Sequence, residues 1–280
     1  MPPPPMPSPS PVPIAPPARP AFNDSDWDAV DLPHDFLRGG QYSEHNSEDN
    51  AFLPRNTSWY RKNFFLPTSM QGKSIWVRFG GIFHATRAYF NGQALQVHSE
   101  GYTQWQVRLD NATTVHYGDS GSDSESNALA LFVDATESSS WWYMGGGPFA
   151  QDVELVVHEP STHVAFDGVY GIANVSLSDV SDDGLTSSGA EVQAVVELQS
   201  DSTAGATVSL TASLLDEAGM QIATAGPMVV KIPGNTSPPF PRMKLVFSRL
   251  SNASLWSIQQ PYLYTMAITV RDQSTSAVLD

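Results

Sequence analysis

Cysteine is absent from all 280 residues, which removes disulfides, zinc–thiolate centres and thiol nucleophiles in one step. It leaves the compartment open, because secreted proteins without disulfides exist. Basic residues are scarce: 14 Lys and Arg stand against 29 Asp and Glu, a net charge of −15. A phosphate backbone demands clustered Lys and Arg, so nucleic acid is not expected as a partner. No apolar run approaches the roughly 18 to 20 residues of a membrane-spanning helix, so no membrane partner is expected either. Helical periodicity is missing too, since no stretch holds a 3.6-residue apolar period for more than a couple of turns. There is no Gly-x-Ser-x-Gly and no phosphate-binding loop. The seven histidines show no metal-ligand spacing. Neither a cofactor nor a metal site is expected.

What is present reads as strands. The 41% hydrophobic and 10% aromatic content suits a globular chain, and the length allows two domains with cores of their own. Residues 1–20 hold eleven of the twenty-two prolines and read as a disordered Pro-rich tail. From there to about residue 160, "SWYRKNFFL", "SIWVRFGGI", "ATRAYFNGQALQV", "TQWQVRL", "NALALFVDA" and "DVELVVH" are short runs of β-branched and aromatic residues. Turn signals separate them, among them Asn91-Gly92 as a tight hairpin. A second series of such runs fills residues 161–280. The expectation is an all-β chain: a jelly-roll sandwich over 21–160, then an immunoglobulin-like sandwich over 161–280. The second sandwich stops after what reads as its penultimate strand.

Six Asn-x-Ser/Thr sequons occur, at Asn23, Asn56, Asn111, Asn174, Asn235 and Asn252, where about two would arise by chance. They mark candidate glycosylation sites and lean toward a secretory route, although the first twenty residues contain no apolar signal-peptide core.

The densest aromatic cluster lies beside the most flexible backbone, in "ESSSWWYMGGGPFAQDVEL". Sugars present polar edges and apolar C–H faces, so their sites pair aromatic rings with a few oriented polar groups. Trp141, Trp142 and Tyr143 supply rings, and Gly145 to Gly147 permit close backbone approach. Asp134 stands just upstream, where a strand ends. The competing reading makes the tryptophans core residues and the glycines a wide turn. Elsewhere Glu44, Glu48 and Asp49 read as a solvated loop, Glu137 as a residue beside the aromatics without a ligand role, and His158 and His163 as surface residues at a domain junction.

Six stretches in order, "VDLPHDF", "SWYRKNFFLP", "GIFHATRAYFNGQ", "GYTQW", "VDATESSSWWYMGGG" and "LWSIQQPYLYT", resemble the sugar-binding and immunoglobulin-like domains of glycoside hydrolase family 2, nearest its β-galactosidases. The resemblance spans residues 21–280. It implies a further (β/α)8 barrel carrying two glutamates that cleave β-glycosides with retention. A barrel takes about 250 residues, and the residues after Pro160 read as strands. No catalytic residue is therefore expected in this chain, which is predicted to be inactive alone and to lack its barrel partner.

The resemblance implies carbohydrate as ligand, a terminal β-galactoside or related neutral sugar. Asp134 and Asn56 would hydrogen-bond it, with Trp141 and Trp142 as walls. A glycan on Asn56 would exclude that role. His34 would fix the chain's approach to the sandwich. The sequence departs from the family pattern at Gln151, where an arginine is expected, at Pro148, and at Met144, where relatives tend to carry glutamate. A stand-alone carbohydrate-binding module is the alternative, as is a portion of a β-mannosidase or β-glucuronidase. Oligomerisation is open.

Overall fold

The strand β6 (Asn127–Asp134) explains why the first half folds as it does. Its sequence alternates Leu129, Leu131 and Val133 on one face with Ala128, Ala130 and Phe132 on the other. Period-two alternation sends the two sets to opposite sides of a sheet. The leucine face joins a core with Ile75, Val77, Phe79, Phe90, Trp105 and Val107. The alanine face packs beneath Trp59, Tyr89 and Ala18. A strand apolar on both faces belongs in a sheet centre, and β6 lies between two neighbours there.

The computed structural model describes residues 15–119, 125–136, 145–148, 152–181, 184–251 and 253–280. Among them, apart from short 3-10 turns, the regular elements are all strands. The chain divides into two units, Met1–Val157 and His158–Asp280.

In the first unit, β1 (Thr57–Phe64), β6, β3 (Thr86–Phe90) and β4 (Gln93–His98) form one antiparallel sheet in that order. The other sheet runs β5 (Trp105–Arg108), β2 (Ser74–Phe79), β7 (Val153–His158). Between β3 and β4, Asn91 and Gly92 both take positive φ, 47° and 84°, the backbone that a two-residue hairpin turn requires.

The second unit opposes β12 (Arg242–Val246), β9 (Gly184–Gln199) and β8 (His163–Ser181) to β11 (Gln221–Ile232), β10 (Ala206–Leu215) and β13 (Thr265–Asp272). No disulfide ties its sheets. Packing does so, with Val192, Ala194, Val196 and Leu198 of β9 meeting Val208, Leu210, Ala212 and Leu214 of β10 in one core. His163 is not a surface residue: it is 2% exposed, and its ring stacks on His158 at 4.3 Å.

Proline density does not keep residues 15–20 off the fold. Residues 15–20, expected to belong to an unpacked tail, lie against the first sandwich. Ala18 is fully buried on the alanine face of β6, where a larger side chain would keep a strap away. Arg61 of β1 fastens the strap. Its guanidinium donates to the carbonyls of Pro17, Arg19 and Pro20 and to the Asp24 carboxylate at 2.8 Å, with only 1% of its side chain exposed. Two of these three carbonyls belong to prolines, which have no N–H of their own to satisfy.

A second clamp holds the glycine corner. The Asp35 carboxylate accepts from Gly146 N at 2.8 Å and Leu37 N at 3.0 Å. Phe36 N donates to Gly146 O, and His34 N to Pro148 O. On the other side Gly147 and Phe83 exchange backbone bonds, at 2.8 and 3.1 Å. Gly147 has φ +104°, and a Cβ there would overlap the Tyr60 hydroxyl, which His34 Nδ1 also holds at 2.8 Å. Burial and the nearby Asp35 charge push the Tyr60 phenol well above its ordinary pKa, so it stays a neutral hydroxyl.

Two stability outcomes follow. Arg61→Met should cost about 2 kcal/mol, because it removes the hydrogen bonds of a buried cation to three strap carbonyls and to Asp24; urea unfolding reads the loss, and limited proteolysis should then cut within residues 15–24. Gly147→Ala should cost on the order of 2 kcal/mol through backbone strain and overlap, whereas Gly39→Ala, with open space at its Cβ position, should cost far less in the same assay.

Candidate functional site

Antiparallel pairing gathers several loops at one end of the first sandwich. Thr57 opens β1 opposite Asp134, which closes β6. Ala135 N extends the ladder by one rung to Asn56 O at 3.1 Å. Thr86 opens β3 opposite Val133 of β6 and opposite His98, which closes β4. Phe79 closes β2 opposite Trp105, which opens β5. Residues 80–85 and 99–104 therefore share an end with Asn56 and Asp134. The glycine corner joins that end through its bonds to Phe83.

Asn56 and Asp134, far apart in sequence, are thus brought together. Asn56 is exposed, and its Oδ1 accepts from Thr57 N at 2.8 Å, leaving its amide N–H2 without a partner among the described residues. Asp134 is half-buried. Its Oδ1 accepts from Thr136 Oγ1 at 2.6 Å and Thr136 N at 3.0 Å, while Oδ2 accepts nothing among the described residues. The Thr136 hydroxyl and amide, with a smaller contribution from the nearby His84, hold the Asp134 carboxyl below its usual pKa. A charged acceptor oriented by one oxygen, with the other open, beside an amide donor suits a ligand of hydroxyl groups.

Three participants were not picked out from sequence. His84 stands two residues before β3, within "GIFHATRAYFNGQ". Phe83 is 4% exposed and pairs with the glycine corner. Asp35 centres the clamp; in the sequence it is the Asp of "LPHDF", which reads only as a simple turn cap.

The glycine corner and the proline after it, residues 145–148, are buried. The close approach that Gly146 and Gly147 allow is to Phe36, Leu37 and Tyr60, side chains of the protein itself. Trp141 and Trp142 lie outside the described residues, as do Glu137, Met144, Gln151 and Asn252. The other candidate glycosylation sites, Asn23, Asn111, Asn174 and Asn235, are all exposed. An open pocket of about 460 Å³ is lined by Pro33, His34, Asp35, Arg38, Tyr42, Ala51 and Leu53; it includes the clamp but neither Asn56 nor Asp134. Among the described residues no three His, Asp or Glu side chains converge as a metal site.

Comparison with known proteins accords with this architecture. Residues 174–278 match the family model described as glycosyl hydrolases family 2. The β-galactosidase BoGH2A of Bacteroides ovatus is 30% identical over 263 residues, 90% of this chain and 27% of that protein. A β-glucuronidase of Formosa agariphila is 22% identical over 277 residues, covering 90% of this chain and 26% of its own length. A solved glycosyl hydrolase family 2 member from Bacteroides cellulosilyticus shares the fold with a TM-score of 0.74 at 24% identity, over 94% of this chain and 32% of its own. The chain thus spans between a quarter and a third of the length of these relatives. It is similar to glycosyl hydrolase family 2 proteins over nine-tenths of its length, with the family's own model matched at residues 174–278, and what it shares with them is a β-sandwich portion.

Proposed function

We propose that this chain is the non-catalytic β-sandwich portion of a β-galactosidase-like hydrolase. The complete protein cleaves terminal β-D-galactosyl residues, with the acid and nucleophile carboxylates on a barrel outside these residues. This portion supplies Asp134 and Asn56 to the rim of the sugar pocket, and needs no cofactor to do so. The observation that carries the reading is the pairing of β1 with β6, which sets a charged acceptor and an amide donor at one end of the sandwich. Asp134 accepts from sugar hydroxyls through Oδ2; Asn56 donates through its amide. The β-glucuronidase named among the relatives favours a second reading, in which the sugar is a uronic acid. Titration with methyl β-D-galactoside and methyl β-D-glucuronide separates the two by which binds more tightly.

Expressed alone, the chain should hydrolyse no aryl β-galactoside; turnover that co-purifies with the polypeptide would refute the non-catalytic assignment. Asp134→Ala should weaken galactoside binding at least tenfold, as loss of hydrogen bonds to a charged group does, measured by NMR titration. The pH dependence has a definite sign. A carboxylate whose folded pKa is lowered stays ionised as pH falls through the ordinary aspartate range near 3.9, and it loses its acceptor role only at lower pH. Binding should therefore persist through that range. Thr136→Val, which removes the hydroxyl donor, should move the fall in binding to higher pH.

A further inference from the structure

His158 and His163, which flank Pro160 in "HEPSTH", meet face to face in the second unit. Their ring centroids lie 4.3 Å apart, and the planes are only 9° from parallel. Each ring has a carboxylate of its own. His163 opens β8 opposite Gln199, the last residue of β9. Two residues further on, Asp201 sets Oδ2 4.0 Å from His163 Nε2, while its Oδ1 accepts from the Gln199 side-chain amide at 2.9 Å. At the other ring, Asp280 sets Oδ1 3.7 Å from His158 Nδ1, and its Oδ2 accepts from Val164 N at 2.7 Å. Glu159, half-buried, follows His158 in the chain.

The two ends of this row differ in burial. The side chains of His163 and Asp201 are 3% and 5% exposed, and those of His158 and Asp280 are 16% and 29% exposed. A carboxylate as buried as Asp201 is costly unless a positive charge compensates it. A hydrogen bond from a neutral amide does not supply that charge, and a proton on His163 does. Once His163 carries it, a second proton on the stacked ring sets two like charges face to face with little water between them. Groups so close disfavour one another's ionisation and titrate as a pair.

We propose that the His158–His163 stack is a pH sensor at the start of the second unit. At neutral pH the pair holds one proton, on His163 against Asp201, and His158 is neutral. Acidification adds a second proton to His158, which then parts from His163 toward Asp280. Burial sets which ring moves, because His158 and Asp280 are the pair with access to water. The effect on stability has two signs. His163 holds its proton more tightly than in the unfolded chain, so its contribution is full below the ordinary histidine value of about 6.5 and is lost as pH rises through the folded one. His158 resists its proton, so its contribution is full above about 6.5 and is lost as pH falls.

The test is an NMR titration of the histidine rings of the 280-residue chain from about pH 4 to 9, which brackets the histidine range. In the wild type, His163 should change charge above the ordinary value and His158 below it. The ring-current displacement of the stacked rings should vanish as His158 titrates. His158→Phe, which keeps a flat ring without its charge, should leave the His163 midpoint in place. His163→Phe should raise the proton affinity of His158 about tenfold, one pH unit, by removing its charged neighbour. Asp201→Asn should lower the His163 midpoint and raise that of His158. Wild-type rings that titrate together, a neutral His163 at pH values where His158 is charged, or ring-current shifts that survive the second proton would each overturn the sensor. So would a His158 midpoint that His163→Phe leaves unmoved. Should that variant fail to fold, the wild-type titration alone decides.

Discussion

One carboxylate organises the candidate end of the first sandwich. Asp35 accepts two backbone N–H groups, from Gly146 and Leu37, that come from segments more than a hundred residues apart in sequence. Buried amides without partners are costly, and a corner of three glycines has no side chains of its own with which to settle. The charged acceptor supplies both needs. Once Gly146 is fixed, Gly147 can pair with Phe83, and Phe83 seats both the His84 ring and the Tyr102 ring. Position therefore passes from Asp35 through the glycine corner to the loop that faces Asp134.

The glycines acquire a different meaning in this light. Their small size admits Phe36, Leu37 and Tyr60, so the corner is a packing joint within the protein. Flexibility in the unfolded chain becomes closeness in the folded one. Asn56 and Asp134 stand at this end of the sandwich, on strand ends whose register the β1–β6 and β3–β6 pairings determine. Rigid ladders thus carry the polar groups, and the clamp carries the aromatic ones. Placing a site on strand ends holds its geometry more tightly than free loops would.

Much of the fold could be read from residue order. Alternating runs such as "NALALFVD" identify strands because burial on one face must repeat every second residue, and Asn91-Gly92 identifies its hairpin because few residues tolerate positive φ. The strap at residues 15–20 could not be read so. Proline density signals extended backbone, and extended backbone packs or floats according to partners elsewhere, here Arg61 and the alanine face of β6. His163 was misread as exposed for a similar reason: its ring is covered by stacking on His158, which hydropathy does not encode. The resemblance singles out Asn56 and Asp134, and the structure sets them at neighbouring strand ends. The part played by Asp35 needed coordinates, since its partner Gly146 lies over a hundred residues away.

The central physical claim is that Asp35 holds the glycine corner and, through it, the Phe83–His84 loop. Amide hydrogen exchange at Gly146 and Gly147 tests it most directly, compared between the wild-type chain and Asp35→Ala. The account predicts slow exchange at both glycines in the wild type and, in the variant, fast exchange at Gly146 together with loss of protection at Gly147 and Phe83. Fast exchange at Gly146 in the wild type, or undiminished protection at all three in the variant, would contradict it.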